Sequence, residues 1–219
     1  MDESLDNANR RIFIDLDGTL LDVSKRSYKV YKEIVKELRG TALSKNDYWL
    51  LKKNKSSIEK LLKFSNLSKK LSKTYEKEFL TRIELIENLA LDILIKHSDK
   101  TLRTLHKEND LYLISLRKNR KGATDQLAKI GLKKYFKFLL IGSSKNKANK
   151  FRTKIKNSFD IVIGDTEADI LAAKELGIVS IAVLSGIRTK KILKNLKPDF
   201  IVKNINHVPK VLKKQTLDV

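Results

Sequence analysis

Short apolar runs alternate with helix-like segments over the second half of the chain. The runs are rich in Leu, Ile and Val and bounded by polar or turn residues, which predicts strands at 111–116, 138–141, 161–163, 179–184 and 200–202. Amphipathic stretches between them predict helices at 98–107, 123–130, 147–156 and 167–176, followed by a basic helix at the end of the chain. Strands that alternate with helices indicate βαβ units and a parallel sheet.

A further strand is predicted near the N-terminus. The segment RIFIDLD at 11–17 is almost continuously apolar up to Asp15 and stops at the turn residues Gly18 and Thr19. A nearly continuous apolar run is typical of a strand that is buried on both faces of a parallel sheet. This strand therefore belongs to the same sheet as those in the second half.

The stretch between the first strand and the alternating region has helical periodicity, and no convincing strand interrupts it between residues 24 and 97. Its last part, from Leu67 to Ile95, predicts one continuing helical pattern. We therefore predict a doubly wound parallel α/β core, Rossmann-like and three-layered, at 1–22 and 98–219. A small all-helical cap domain at 23–97 is inserted after the first strand.

Composition narrows the class of protein. The chain has 219 residues, 41% of them hydrophobic and 33% charged, as in a folded water-soluble protein. It has no cysteine and no apolar run long enough to span a membrane, and its start, MDESLDNANRR, lacks the apolar core of a secretory signal. We expect a cytoplasmic protein with no membrane contact. The histidines are scattered and give little support to a histidine metal site: His97, His106 and His207.

The net charge of +21 raises the question of a nucleic-acid partner. Only ten of the 47 basic residues are arginine, whereas nucleic-acid recognition relies strongly on arginine. The lysines are spread along the whole chain, as on solvated helix faces. A nucleic-acid partner is therefore the weaker interpretation, although a basic surface would attract anionic substrates.

Acidic residues follow the predicted strands where a parallel sheet binds its ligands. Asp15 and Asp17 end the first strand, Ser115 lies at the end of the second, and Asp165 and Asp169 follow the strand at 161–163. The carboxyl ends of parallel strands lie at one edge of the sheet, so these side chains should meet there. A cluster of carboxylates is stable when a hard cation neutralises it, and oxygen ligands suit Mg²⁺.

The spacing of Asp15 and Asp17 suggests phosphoryl transfer. Residues two apart in a strand face the same side, so one carboxylate could attack phosphorus while the other handles a proton. The transferred group carries spread negative charge and needs cations and donors around it. Mg²⁺, a lysine, Ser115 and nearby backbone N–H groups could supply them.

Two motifs carry a resemblance to a known family. DLDGTL (15–20) and GDTEADI (164–170), with Ser115 and a lysine between them, resemble the four ordered motifs of the haloacid dehalogenase superfamily. LAAKELG (171–177) continues the last motif as in phosphoglycolate-phosphatase-like members, and the helical insertion is similar to their C1-type cap. The resemblance covers roughly residues 10–22 and 98–208.

The resemblance implies roles for individual residues. Asp15 corresponds to the nucleophile and a Mg²⁺ ligand, and Asp17 to the general acid/base, with its backbone carbonyl as a further ligand. Asp165 corresponds to a direct Mg²⁺ ligand, and Asp169 supports the ion through water or a hydrogen bond. Ser115 corresponds to the phosphate-binding residue of the second motif. Two further candidates for phosphate or substrate binding are Gly18 and Arg117, the latter being equally compatible with a surface position.

The lysine motif departs from the usual family pattern because no proline follows the lysine. Lys145, Lys147 and Lys150 are all candidates in the segment SSKNKANKFRTKI. Phe151 and Ile155 lie four and eight residues after Lys147, which would put Lys147 on the inward face of a helix. Lys147 is therefore preferred.

These observations predict a Mg²⁺-dependent phosphatase that hydrolyses a small phosphorylated metabolite through an aspartyl-phosphate on Asp15. A phosphomutase of the same family, a nucleic-acid end phosphatase and a binding protein with a vestigial site remain as alternatives. The chain is expected to be a monomer or a homodimer. Candidate specificity residues in the insertion are Arg26, Tyr28, Trp49 and Lys52.

Overall fold

The computed structural model describes residues 9–215, with side chains through residue 213. Residues 1–8 and 216–219 lie outside the described part. The first of these ranges includes most of the segment MDESLDNANRR, on which the prediction of no secretory signal rests. None of the described helices is long and apolar enough to cross a membrane.

The described chain alternates strands and helices after an initial helical stretch. The strands are β1 (Arg10–Asp15), β2 (Leu21–Asp22), β3 (Ile93–Leu94), β4 (Asn109–Ser115), β5 (Phe138–Ile141), β6 (Ile161–Gly164), β7 (Val179–Val183) and β8 (Phe200–Val202). The α-helices are α1 (Ser24–Glu37), α2 (Lys45–Lys53), α3 (Ile58–Phe64), α4 (Ser72–Arg82), α5 (Ile86–Leu89), α6 (Ser98–His106), α7 (Arg120–Lys129), α8 (Glu167–Leu176), α9 (Lys190–Asn195) and α10 (Val208–Gln215).

Six strands form one parallel sheet in the order β5-β4-β1-β6-β7-β8. β1 lies in the middle, with Asp15 beside Ile114 of β4 and Ile14 beside Ile163 of β6. The predicted Rossmann-like α/β fold is confirmed. Because all six strands run the same way, the carboxyl ends of β1, β4 and β6 lie at one edge of the sheet.

Helices cover both faces of the sheet, and alternate residues of β1 pack to opposite sides. Ile12 and Ile14 are fully buried in an apolar cluster on one face. Phe13 points to the other face, where its ring centroid lies 4.9 Å from that of Tyr112 and 4.7 Å from that of Phe151. This double burial explains why the sequence of the strand is nearly continuously apolar.

The helical segment, here residues 24–89, has an apolar cluster of its own. Val30, Tyr31, Tyr48, Leu62 and Tyr75 are buried in it. The rings of Tyr31 and Tyr48 stack at 4.3 Å, and the Tyr48 hydroxyl hydrogen-bonds the Ser27 hydroxyl at 2.6 Å. The domain boundaries at 22/23 and 97/98 stay predictions.

The end of the insertion differs from the expected continuous helix over 67–95. The chain forms a short 3₁₀ turn at Lys69–Leu71, then α4 and α5, and then the strand β3. β3 pairs with β2 in an antiparallel ribbon, with Leu21 opposite Leu94. The prediction of an uninterrupted helical stretch was wrong here, because two-residue strands are too short to produce an alternating pattern.

One further local prediction differs from the structure, and one helix has no counterpart in the sequence predictions. The expected helix at 147–156 is a pair of 3₁₀ turns, Lys147–Lys150 and Arg152–Lys154, separated by Phe151 at φ −135°. The Asn146 side chain accepts a hydrogen bond from the N–H of Ala148 at 2.8 Å and begins the first turn. Helix α9 was not predicted.

Candidate active site

The site lies at the edge of the sheet where β1, β4 and β6 end. Asp15 is the last residue of β1, Ser115 is the last residue of β4, and Asp165 directly follows β6. Asp169 lies in the first turn of α8, where its carboxylate accepts hydrogen bonds from the backbone N–H and the hydroxyl of Thr166, at 3.0 and 2.6 Å. The fold therefore brings together residues far apart in sequence.

Lys147 joins two of these carboxylates. Its ammonium group is buried, contacts the Asp15 carboxylate directly and lies 2.5 Å from Asp169 Oδ1. The two carboxylates outweigh the effect of burial, which acts to lower the pKa of Lys147, and the pKa is raised. Of the three candidate lysines, Lys147 is the one whose ammonium contacts these carboxylates in the described structure, whereas that of Lys150 lies near Gly142.

Asp15, Asp165 and Asp169 form a carboxylate cluster. Each contributes one oxygen to a group whose members all lie within 4.8 Å of one another, and all three side chains are buried. Burial, together with the neighbouring carboxylates, raises the pKa of Asp15 to about 7 and raises that of Asp165 well above its usual value. With the single ammonium of Lys147 beside three buried carboxylates, the cluster is electrostatically unfavourable unless a further cation neutralises it.

The surroundings of Asp165 fit a bound cation. Its Oδ2 accepts a hydrogen bond from the N–H of Ile187 at 2.7 Å, but its buried Oδ1 accepts none from any described residue. A Cβ atom on Gly186 or Gly18 would lie 1.8 or 2.4 Å from Asp165 Oδ2, so glycine is needed at both positions for Asp165 to keep this place. Carboxylate oxygens are the hard ligands that Mg²⁺ prefers. The buried Oδ1 of Asp165, which accepts no hydrogen bond from a described residue, is free to be one of them.

The Asp17 carboxylate lies outside this cluster. The Arg117 guanidinium contacts it with Nε at 2.8 Å and Nη2 at 2.5 Å, and Arg26 Nη2 contacts it at 2.8 Å. Burial acts to raise the pKa of Asp17, but the two arginines, Arg117 above all, lower it to about 2. Asp17 is therefore held ionised, and the predicted metal contact through its backbone carbonyl stays a prediction.

The network around Asp17 contains two residues that the sequence analysis missed. The side chain of Asp92 is 0% exposed, with Oδ1 2.9 Å from Arg26 Nε and Oδ2 3.0 Å from Arg117 Nη2. Gln126 accepts a hydrogen bond from Arg117 Nη1 at 2.6 Å and donates one to Asp92 at 3.0 Å. In the sequence, Asp92 stands out only as the acidic residue within the apolar run LALDILI.

The remaining predicted residues lie around the same edge. Arg117 is buried, so the surface interpretation was wrong for this residue. Ser115 is buried too, and its hydroxyl accepts a hydrogen bond from the N–H of Arg117 at 3.4 Å. Gly18 has φ +86°, a left-handed conformation that favours glycine, and its carbonyl accepts a hydrogen bond from the Ser185 hydroxyl at 2.7 Å.

Two adjoining cavities open onto the site. The aspartate cavity has a volume of about 260 Å³ and is lined by Asp15, Ser115 and Lys147 among others. The tryptophan cavity has a volume of about 180 Å³, lies against the helical segment and is lined by Trp49 and Lys52 among others. They share five lining residues, which are Asp17, Val23, Glu84, Arg117 and Ile187.

Comparison with known families agrees with this architecture. A family profile described as haloacid dehalogenase-like hydrolase matches residues 12–183, which is more than half of the chain. The chain belongs to this family. No curated protein matches the chain.

Solved structures share the fold at low sequence identity. A protein assigned as a phosphatase from Clostridium difficile is 20% identical, with a TM-score of 0.76 over 94% of this chain and 99% of that one. A haloacid dehalogenase-like protein from Streptococcus pneumoniae is 23% identical, with a TM-score of 0.74 over 94% and 99%. A protein assigned to the same hydrolase family from Bacillus subtilis, solved with bound magnesium, is 13% identical, with a TM-score of 0.62 over 94% and 99%.

The raised pKa values of the cluster predict how magnesium binding depends on pH. Asp15 and Asp165 both hold a proton more tightly in the folded than in the unfolded state. The contribution of Asp15 to the stability of the metal-free protein therefore falls as pH rises from about 4 to 7, and that of Asp165 falls as pH rises in the same way. A Mg²⁺ ion bound at this cluster would have to displace these protons and would offset the charge repulsion. We therefore expect Mg²⁺ to raise the melting temperature more at about pH 8 than at about pH 5.5.

The size of this effect follows from binding linkage. At a concentration 100 times the dissociation constant, Mg²⁺ stabilises the folded state by about 2.7 kcal/mol, which is roughly 5–10 °C for a chain of this length. NaCl at equal ionic strength is the control for charge screening. An equal or larger shift at the lower pH would contradict the assignment of Mg²⁺ to this cluster.

Proposed function

We propose that this protein is a Mg²⁺-dependent phosphatase that hydrolyses a small phosphate monoester through a phospho-enzyme on Asp15. The observation that carries the proposal is the position of Asp15 in the aspartate cavity. Its carboxylate contacts the ammonium group of Lys147 there, and Ser115 lines the same cavity. A nucleophile, a cation and a hydroxyl thus face a space of about 260 Å³, enough for a phosphoryl group and a small leaving group.

The reaction would proceed in two steps, formation of an aspartyl-phosphate and its hydrolysis. A carboxylate oxygen of Asp15 attacks phosphorus, and the bond from phosphorus to the ester oxygen breaks as the leaving alcohol takes up a proton. Water then attacks the aspartyl-phosphate and gives up a proton, which releases inorganic phosphate and restores Asp15. Lys147 and the hydroxyl of Ser115 would stabilise the negative charge on the phosphoryl oxygens in both steps.

Asp17 would donate the proton in the first step and accept one in the second. Its two arginine contacts favour the ionised form, so it must part from at least one arginine to carry a proton at neutral pH. Arg26 lies on α1 in the helical segment, whereas Arg117 follows β4 of the core. A movement of the helical segment away from the core would withdraw Arg26 and raise the pKa of Asp17.

Asp15, Asp165 and Asp169 would hold the Mg²⁺ ion. When bound, the ion neutralises the carboxylate cluster and withdraws charge from the phosphoryl group. Lys147, which contacts two of the three carboxylates, supports their positions.

The test is hydrolysis of p-nitrophenyl phosphate by purified protein with Mg²⁺ and with EDTA. We expect release of p-nitrophenol with Mg²⁺ and its loss with the chelator, reversed by added Mg²⁺. Because a substrate of the wrong shape can be excluded from the cavity, a panel of metabolite phosphates is assayed in parallel for phosphate release. Absence of metal-dependent release across the panel would contradict the proposal.

The alternatives are separated by products and by salt. A phosphomutase would convert a sugar phosphate into its isomer with little free phosphate. A nucleic-acid end phosphatase would act on oligonucleotides with a rate that falls steeply with salt. A cytoplasmic location and a monomeric or homodimeric state remain part of the proposal.

A further inference from the structure

The tryptophan cavity contains a cation with no carboxylate partner. Lys52, on α2, is half-buried, and its ammonium lies 5.2 Å from the centre of the Phe79 ring. Among the described residues no carboxylate forms an ion pair with it. Burial, with a smaller effect from nearby Arg188, lowers the pKa of Lys52, which is consistent with a cation that lacks a neutralising neighbour.

The other cations around this cavity are already neutralised. Arg26 and Arg117 are paired with Asp17 and Asp92, two cations with two anions. Arg188 Nε lies 2.6 Å from a Glu167 oxygen. Lys52 is thus the described cation of this cavity that remains available to a ligand.

The one other acidic lining residue has partners of its own. The Glu84 carboxylate accepts hydrogen bonds from the backbone N–H groups of Lys118 and Asn119, at 3.1 and 2.6 Å. Its carboxylate is thus engaged by two backbone donors, and in the described structure it forms no ion pair with Lys52. The rest of the cavity wall is largely apolar, with Trp49, Phe79 and Ile83.

The two cavities therefore differ in what they can bind. The aspartate cavity can receive the phosphoryl group, because Asp15, Ser115 and Lys147 line it. The tryptophan cavity continues from it past Asp17 and Arg117 and offers apolar walls with one cation. A substrate that spans both would carry its phosphate at one end, a short carbon skeleton in the middle and a group that binds a cation at the other end.

We infer that Lys52 binds a second anionic group, a carboxylate or a second phosphate, at the end of the substrate opposite the scissile phosphate. The inference rests on the phosphatase function proposed above and narrows its substrate class to small phosphate monoesters that carry a second anionic group. Lys52 is then a specificity-determining residue, and removal of its charge should weaken recognition of the second anion.

The test compares substrates that differ in that anion alone. One pair is 3-phosphoglycerate and glycerol 3-phosphate, which share a carbon skeleton and differ by a carboxylate. The other pair is fructose 1,6-bisphosphate and fructose 6-phosphate, which differ by a phosphate. For wild-type protein we expect a higher kcat/KM for the more anionic member of at least one pair, and the pair that shows it identifies the anion as carboxylate or phosphate.

Substitution of Lys52 then assigns this preference to one residue. Lys52→Met keeps most of the apolar stem and should lower the ratio of kcat/KM within the preferred pair by about 10- to 100-fold, the effect of losing one charge-assisted contact. Lys52→Arg keeps the positive charge and should retain most of the wild-type ratio. Lys53→Met removes the same charge from the same helix at a position that lines neither cavity, and it should keep the wild-type ratio.

A binding measurement separates failure of this inference from failure of the phosphatase proposal. Calorimetric titration of the Asp15→Asn variant with the same pairs needs no turnover. Preferential binding of the more anionic member, lost on Lys52→Met, would support the inference even if wild-type protein hydrolysed none of the four compounds. No preference in either assay, or a preference that survives Lys52→Met, would overturn it.

Discussion

Replacement of Asp15 by asparagine should lower kcat/KM for p-nitrophenyl phosphate by at least about 10⁴-fold. The amide oxygen is a poor nucleophile, so the bond from residue 15 to phosphorus no longer forms. The amide is nearly the size of the carboxylate and can still contact the Lys147 ammonium. The loss should therefore appear in kcat, measured at saturating Mg²⁺ and substrate, rather than in substrate binding.

The fold of the Asp15→Asn variant should persist. The substitution removes one of three clustered carboxylates, and burial already raises the pKa of this group. Its melting temperature without Mg²⁺ should therefore equal or exceed that of wild-type protein. Asp110→Asn, the same change in a partly exposed pair with Lys137 at the start of β4, should leave activity unaltered. Activity of the Asp15→Asn variant within about tenfold of wild type would exclude Asp15 as the nucleophile.

The parallel sheet and the meeting of the carboxylates could be predicted because both depend on strong local patterns. A nearly continuous apolar run such as that before Asp15 marks a strand buried on both faces, and parallel strands bring their carboxyl ends to one edge. Asp15, Asp165 and Asp169 then meet as a consequence of topology. Lys147 was favoured from helical spacing, and it reaches Asp15 although its segment forms 3₁₀ turns instead.

The network around Asp17 could not be predicted because its contacts join distant parts of the chain. Arg117 is 100 residues from Asp17, and Asp92 is 25 residues from Arg117. Neither spacing leaves a periodic signal, and Arg117 was equally compatible with the surface. Asp92 lies just before the short strand β3, in a region whose pattern was interpreted as helical. Which charge pairs with which is set by packing of the helical segment on the core.

The second large effect is expected for Arg117→Met, which should lower the free energy of unfolding by about 3–5 kcal/mol. Arg117 donates to Asp17 and Gln126 and lies 3.0 Å from the Asp92 carboxylate. Methionine fills similar space but donates nothing, so Asp92 would keep a buried charge with Arg26 as the one cation still paired with it among the described residues. Urea unfolding of wild-type and variant protein at neutral pH measures this difference.

The loss of unfolding free energy in the Arg117→Met variant should depend on pH, and this dependence tests whether the charge of Asp92 causes it. Burial raises the pKa of Asp92 even in the wild-type protein, and loss of Arg117 should raise it further. Protonation of Asp92 at low pH removes its poorly compensated charge from the folded state. At high pH Asp92 is ionised in both states, but only in the folded state is the charge buried with too few cations beside it. The deficit should therefore be smaller at about pH 5 than at about pH 8.

A matched control distinguishes a buried pair from an exposed one. Arg152 is paired with Glu175 at the surface, where their side chains are 49% and 40% exposed, so Arg152→Met should change stability by less than about 1 kcal/mol. A role of Arg117 in substrate binding, the other interpretation of this residue, predicts a different result. An Arg117→Met variant that unfolds at the wild-type urea concentration but has a raised KM would show that Arg117 serves the substrate rather than the stability of the fold.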